Sequence, residues 1–156
     1  MTKVLYTAHA HVTGGRDGHA RSADGELQVH LHTPTEMGGS GKGTNPEELF
    51  AVGYAASFGS TLGVLARRRR LDAGEITIDS AMSLLPAADG SFQLAATLDV
   101  ALPAIEDRET ATQLARQAHL ECPYSNATRG NIDVEILLEG KPVNSHRREP
   151  QGTTED

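Results

Sequence analysis

Four histidines form two pairs that could bind a metal ion. His9 and His11 lie two residues apart in one predicted strand, and His30 and His32 do so in another. Side chains two apart in a strand point to the same face, so each pair presents two imidazoles together, and imidazole is a common zinc ligand. No acidic or thiol residue lies at a matching spacing. We therefore interpret these histidines as ordinary side chains on the polar face of each strand, and we predict no metal site.

Ser57 and Cys122 carry side chains that could act as nucleophiles. Cys122 is the single cysteine, so the chain can form no intramolecular disulfide; this count fits a cytosolic protein and equally a chain that has lost a second cysteine. A serine hydrolase would need a histidine beside Ser57. His119 is the only candidate outside the predicted strands, their linking loop and the tail, and the residues around Ser57 do not form a nucleophile elbow. A serine hydrolase is therefore a function that these residues support only weakly.

Arg16 and Glu47 are candidate charged groups with simpler explanations. Arg16 lies in the glycine-rich turn Gly14–Gly18, where a surface arginine would be ordinary. Glu47 lies in the first turn of a predicted helix, where a carboxylate suits the positive helix end. Glu47 and Ser57 are ten residues apart. A straight helix would separate them by about 15 Å, too far for both to line one small pocket.

The element that must position Ser57 is a long apolar helix. Asn45 can cap its first turn, and Pro46 fits the first helical position. The stretch 49–65 carries no charge, so we expect no water-facing side and a path through the middle of the domain. The run 67–70 of four arginines ends the helix. Packing such helices across a two-fold axis would also bury this uncharged length, which favours a symmetric dimer.

The other elements are predicted to be strands and one further helix. Alternating apolar residues predict strands over 3–13, 27–32, 76–85, 91–102 and 132–138. Asp89-Gly90 between the third and fourth of these indicates a hairpin. A second helix is predicted over 107–119, and four of its residues form a narrow apolar face: Ala111, Leu114, Ala115 and Ala118. The fold class is therefore α+β.

Length and charge limit the function. A chain of 156 residues is one domain by size, and its net charge of −7 argues against a nucleic-acid partner. We find no apolar run of about 18 residues and no signal-peptide core, so we expect a soluble cytoplasmic protein without a membrane partner. The stretch 140–156 is polar and without apolar periodicity. We predict a domain over 1–139 and a disordered tail over 140–156.

Three motifs resemble those of organic hydroperoxide resistance proteins, a branch of the osmotically inducible protein C superfamily. They are GGRDG at Gly14–Gly18, TNPEELF at Thr44–Phe50 and, most specifically, CPYSNATRGNI at Cys122–Ile132. The resemblance covers roughly residues 3–138 in the same order. It implies an intertwined homodimer in which antiparallel sheets wrap two central helices, with the sites at the subunit interface.

The resemblance also implies a thiol peroxidase mechanism. The family carries its peroxide-attacking cysteine at the position of Ser57, places the counterpart of Arg16 beside that sulfur, and pairs the counterpart of Glu47 with the arginine. The thiolate attacks the terminal peroxide oxygen, an alcohol leaves, and the sulfenic acid is captured by a resolving cysteine, which Cys122 matches. An external dithiol then reduces the disulfide. For the family this dithiol is a lipoyl group, as dihydrolipoamide or a lipoylated protein, and no cofactor is bound.

Ser57 cannot perform this step, because a serine hydroxyl is not ionised near neutrality and its oxygen does not undergo sulfur's reversible oxidation. One explanation is a deliberate Cys-to-Ser exchange. The other is a natural non-catalytic paralogue that binds lipid-like ligands or partners. The apolar helix suits fatty-acid or aryl hydroperoxides as substrates of the active form, since apolar burial contributes roughly 25 cal/mol per Å². We expect the chain as it stands to be inactive.

Overall fold

Strands and helices alternate along the protein as an α+β architecture, and the predicted class is confirmed. The structure is a computed structural model that describes residues 2–143. The chain divides into two compact units, Met1–Val52 and Gly53–Asp156, and the division falls within the long helix α1. Each unit contains one β-sheet.

The sheet of the first unit is a three-stranded antiparallel meander. Its strands are β1 (Ala10–Thr13), β2 (Gly18–Ser22) and β3 (Gln28–Leu31), in that order. The predicted strand over 3–13 begins only at Ala10, which pairs with Ser22 at the end of β2. One further backbone hydrogen bond runs from the Ala23 N–H to the His9 carbonyl at 2.9 Å, after which the chain turns away. Leu5, further towards the N-terminus, is 95% exposed.

Strand β3 has the alternation that its sequence predicts. Leu31 is buried and Val29 half-buried, whereas Gln28 and His30 between them are exposed. This pattern is typical of an antiparallel sheet with one wet face.

Helix α1 spans Pro46–Arg68 and is capped as predicted. The side-chain oxygen of Asn45 accepts a hydrogen bond from the Glu48 N–H at 2.9 Å. Large apolar side chains point to one side, where Tyr54, Phe58 and Leu62 are fully buried. The expectation that no side of the helix faces water is wrong for this chain by itself. An uncharged stripe of Val52, Ala56 and Ser60 is exposed, because these residues recur every four positions on the side away from the buried row.

Helix α1 also has the length and apolar composition of a membrane-crossing helix, although we expected no such stretch in the chain. Only 28% of the most apolar 18-residue stretch of α1 is buried. Core helices of soluble proteins meet the same length and composition test, so this feature is weak evidence for a membrane span.

The sheet of the second unit is mixed. Its strands are β4 (Thr77–Pro86), β5 (Phe92–Ala101), β6 (Asp133–Leu138) and β7 (Lys141–Pro142), in that order. Strands β4 and β5 form the predicted antiparallel hairpin. Strands β5 and β6 pair in parallel, whereas we expected antiparallel sheets throughout. The reason is the helical crossover between them, since a parallel neighbour requires a long connection.

Two helices make that crossover. Helix α2 spans Arg108–Glu121, and its cap residue Asp107 accepts a hydrogen bond from the Thr110 N–H. The predicted apolar face is confirmed, because its four residues are all buried: Ala111, Leu114, Ala115 and Ala118. A short helix α3 (Pro123–Thr128) follows, with Pro123 at its start, and it was not predicted from the sequence.

Regular structure continues past the predicted domain end at residue 139. Strand β7 pairs with β6, and Val143 is 2% exposed. The rest of the predicted disordered tail, 144–156, lies outside the described residues.

Candidate functional site

Ser57 and Cys122, 65 positions apart in sequence, meet in the second unit. The Oγ of Ser57 lies 3.5 Å from the Sγ of Cys122. Ser57 projects from the middle of α1, and Cys122 is the junction residue between α2 and α3. Its N–H donates to the carbonyl of Ala118 at 2.8 Å, which fixes the backbone. The two side chains are thus in contact at the point where α2 ends and α3 begins.

A shallow depression of about 320 Å³ opens beside Ser57. It is lined by residues of α1 and of the α2–α3 junction: Ser57, Ser60, Thr61, Val64, Glu121 and Pro123. Cys122 itself is fully buried. A molecule entering this depression would therefore contact position 57 before it could contact the thiol. The lining mixes hydroxyl groups with apolar atoms, so one side of an amphipathic ligand could find hydrogen bonds here.

Arg16 and Glu47 form a bidentate ion pair in the first unit. The guanidinium donates two hydrogen bonds to the carboxylate, at 2.7 and 2.6 Å. Such forked, charge-assisted pairs are the strong form of this contact. The Arg16 hydrogen bond lowers the pKa of Glu47, and the same contact raises the pKa of Arg16. The pairing predicted for these residues is observed. The predicted approach of Arg16 to position 57 stays a prediction.

The turn that carries Arg16 is held by a residue that sequence reasoning missed. Asp17 accepts hydrogen bonds from the Thr33 N–H at 3.0 Å and from the Thr33 hydroxyl at 2.8 Å. These bonds lower the pKa of Asp17. Gly18 is required in the same turn, because a Cβ there would lie 1.8 Å from the carbonyl oxygen of Thr13. An aspartate next to an arginine in a glycine turn was the only available signal.

A buried polar network lies beside Cys122, and it too was missed. The Tyr54 hydroxyl is hydrogen-bonded to the Ser125 hydroxyl at 2.9 Å and to the Thr128 hydroxyl at 3.3 Å. The Nδ1 of His119 lies 2.9 Å from the same Ser125 oxygen. Burial raises the pKa of Tyr54 and lowers the pKa of His119. His119 is thus engaged with Ser125, and no hydrogen bond joins it to Ser57 among the described residues. The hydrolase alternative lacks its base.

The histidines are arranged differently from the predicted pairs. Strand β2 separates the strand that follows His9 from the strand that contains His30, so the two pairs are not on neighbouring strands. His30 instead faces His19 across the β2–β3 ladder, with ring centroids 4.6 Å apart. Within residues 2–143, no group of three or more histidine, cysteine or acidic side chains could hold a metal ion.

Comparison with known proteins places this architecture and site in one family. The profile of the family described as OsmC-like protein matches residues 39–137. This range includes α1, the mixed sheet up to β6, and both Ser57 and Cys122. The chain belongs to the OsmC-like protein family.

Within that family, several similar proteins are named organic hydroperoxide resistance proteins. The one from Xanthomonas axonopodis pv. citri is 49% identical over 87% of this chain and 96% of its own length. The crystal structure of OhrB of Bacillus subtilis superposes with a TM-score of 0.79 at 42% identity, covering 86% of this chain and 99% of that one. A thiocyanate-bound structure from Elizabethkingia anophelis gives 0.83 at 38% identity, covering 90% and 100%.

Proposed function

We propose that this chain is an organic hydroperoxide reductase scaffold in which Ser57 replaces the attacking cysteine. The observation that carries the proposal is the 3.5 Å contact between the Oγ of Ser57 and the Sγ of Cys122. A sulfur at position 57 would lie beside a second, buried sulfur, as capture of a sulfenic acid requires. The names of the relatives support hydroperoxides as the substrate class.

The proposed roles follow from the chemistry. A cysteine at position 57 would attack the terminal peroxide oxygen, releasing the alcohol and becoming a sulfenic acid. Cys122 would then displace water and form a disulfide, which an external dithiol of the lipoyl type would reduce. Arg16 would lower the pKa of the attacking thiol from its free value of about 8.5. Glu47 would hold the guanidinium by the two observed hydrogen bonds.

In the unmodified chain, Ser57 cannot carry out the attack on the peroxide. Its hydroxyl stays protonated near neutrality, and Cys122 cannot replace it because that thiol has no exposed surface. We propose that the unmodified protein has no hydroperoxide reductase turnover. We also propose that it acts in the cytoplasm as a homodimer, without a bound cofactor.

The test compares three proteins: the present chain, Ser57→Cys, and Ser57→Cys combined with Cys122→Ser. Consumption of cumene hydroperoxide or linoleic acid hydroperoxide is measured with dihydrolipoamide as the reductant. The expected results are no turnover, full turnover, and a single turnover that leaves a sulfenic acid. An inert Ser57→Cys protein with unchanged fold would refute the proposal. Equal activity of the unmodified chain would place the chemistry elsewhere.

The second candidate is a non-catalytic paralogue that binds lipid-like ligands. The depression beside Ser57 favours it, because hydroxyl groups and apolar atoms line the same surface. Binding of linoleic acid by the unmodified chain, measured by calorimetry, would support this function. Val64→Asp should remove such binding, whereas Thr77→Asp, at an exposed position on β4, should not.

A further inference from the structure

One face of the first sheet carries a groove whose ionisable lining residues are all basic. The groove measures about 540 Å³. Polar side chains from all three strands line it: His11, Thr13, His19, Arg21, Gln28 and His30. None of the residues that line it is acidic, although the whole chain has a net charge of −7. From this contrast we infer that the groove is a binding site for a small anion bearing a phosphate group.

The strand register brings these groups together. Thr13 pairs with His19, and His19 pairs with His30, so the three side chains point to one face. Arg21 pairs with His11 on one side and with Gln28 on the other. A guanidinium, imidazoles, an amide and a hydroxyl therefore converge from three neighbouring strands. A phosphate oxygen can accept a hydrogen bond from each of these donor types.

Arg21 is the fixed charge of the groove. Within residues 2–143 it takes part in none of the salt bridges, unlike Arg16, which is fully engaged with Glu47. An adjoining depression of about 340 Å³ shares His11 and Arg21 and extends the basic surface to His9. Arginine binds phosphate through a planar fork of donors, which makes it the natural anchor for this anion.

The surrounding carboxylates are partly occupied by other contacts. Asp24, in the β2–β3 turn, accepts hydrogen bonds from Ser22 and from the Glu26 N–H. Asp17, at the opposite end of the sheet, accepts from Thr33 and lies 3.8 Å from His32. Glu26 is exposed in the same turn as Asp24 and adds negative charge at that end. The anion is therefore expected in the middle of the groove, next to His19 and His30.

The imidazoles add hydrogen-bonding groups beside Arg21, one from each strand: His11 from β1, His19 from β2 and His30 from β3. A neutral imidazole can donate one hydrogen bond to a phosphate oxygen.

Titration with inorganic phosphate, followed by calorimetry and by the ring-proton NMR signals of the histidines, tests the inference. The expected result is saturable binding of phosphate by the unmodified protein at a single, fixed pH. Arg21→Gln should abolish this binding, and His19→Ala combined with His30→Ala should weaken it, because two hydrogen-bond donors are lost. Arg69→Gln is the matched control, because Arg69 is an exposed arginine of the second unit. It should bind phosphate normally.

Several results would overturn the inference. One is the absence of phosphate binding by the unmodified protein, and another is an equal loss in Arg21→Gln and Arg69→Gln, which would indicate non-specific attraction. Vesicles containing anionic phospholipid form a separate arm. Binding of these vesicles without binding of inorganic phosphate would replace the small anion with a membrane surface. Binding of nickel ions without phosphate would replace it with a metal site.

Discussion

The side chains of Ser57 and Cys122 are in contact, 3.5 Å apart, although 65 positions separate them in sequence. One projects from α1 and the other joins α2 to α3. A disulfide needs its sulfur atoms about 2.05 Å apart. The chain would therefore need only a small local adjustment to cross-link these positions if both carried sulfur.

We predict that Ser57→Cys forms an intramolecular disulfide with Cys122 on treatment with one equivalent of cumene hydroperoxide. Two free thiols per chain should fall to none, and a peptide map should link the two positions. The matched control is Ser60→Cys, which places a thiol one turn away on the exposed side of α1. If Ser60→Cys cross-links to Cys122 as readily as Ser57→Cys does, the contact between positions 57 and 122 has no special role in forming the disulfide.

The Arg16–Glu47 pair should make stability depend on pH at the acid end. Its effect is modest, because the Arg16 side chain is 36% exposed and solvent screens the charges. The pKa of Glu47 is lower in the folded protein than its ordinary value of 4.5. The pair therefore stabilises the fold above about pH 4.5, and the contribution is lost as the pH falls through the lowered value.

Glu47→Gln should thus reduce the free energy of unfolding by about 1 kcal/mol at pH 7 and by less at pH 3. Urea titrations at both pH values measure the difference. Glu48→Gln is the control for helix-end charge, since its carboxylate accepts from Thr44 and not from Arg16. An equal loss in both variants would mean that the helix end, and not the ion pair, explains the effect.

The network around Ser125 should be important for stability. Ser125 is fully buried, and its hydroxyl contacts both Tyr54 and His119. Ser125→Ala would leave buried polar groups with fewer partners, which costs about 1–3 kcal/mol. Urea denaturation measures this loss. Ser83→Ala, at an exposed position on β4, should change stability by less than about 0.5 kcal/mol. Similar values for the two variants would refute the importance of the network.

The exposed stripe of α1 should be the surface of a homodimer. Val52 is 69% exposed within the uncharged stretch 49–65 of α1, and apolar residues near the N-terminus are also exposed. We predict a dimer by sedimentation at micromolar concentration. Val52→Glu should shift the population to monomer because it places a charge in the interface. Thr77→Glu, at an exposed position on β4, should leave the dimer intact. A stable monomer of the unmodified chain would rule out this assembly.

Local sequence signals predicted several elements correctly because neighbouring residues determine them. Asn45 and Pro46 mark the start of α1, Asp89-Gly90 marks the β4–β5 hairpin, and the alanine-rich stripe of α2 is buried as expected. The start of β1 was placed too early, since a strand ends where its partner ends. The parallel pairing of β5 with β6 also escaped prediction, because strand direction depends on the route of the crossover.

The same distinction between local sequence signals and tertiary packing applies to the candidate site. The sequence by itself determined the residue types: a hydroxyl at position 57 where the resembling family has a thiol, one cysteine at position 122, and two separate motifs that carry Arg16 and Glu47. Tertiary structure decided which side chains meet. The contact of Ser57 with Cys122 and the network around Ser125 join distant parts of the chain. Such contacts depend on the packing of whole helices and leave no periodic pattern in the sequence.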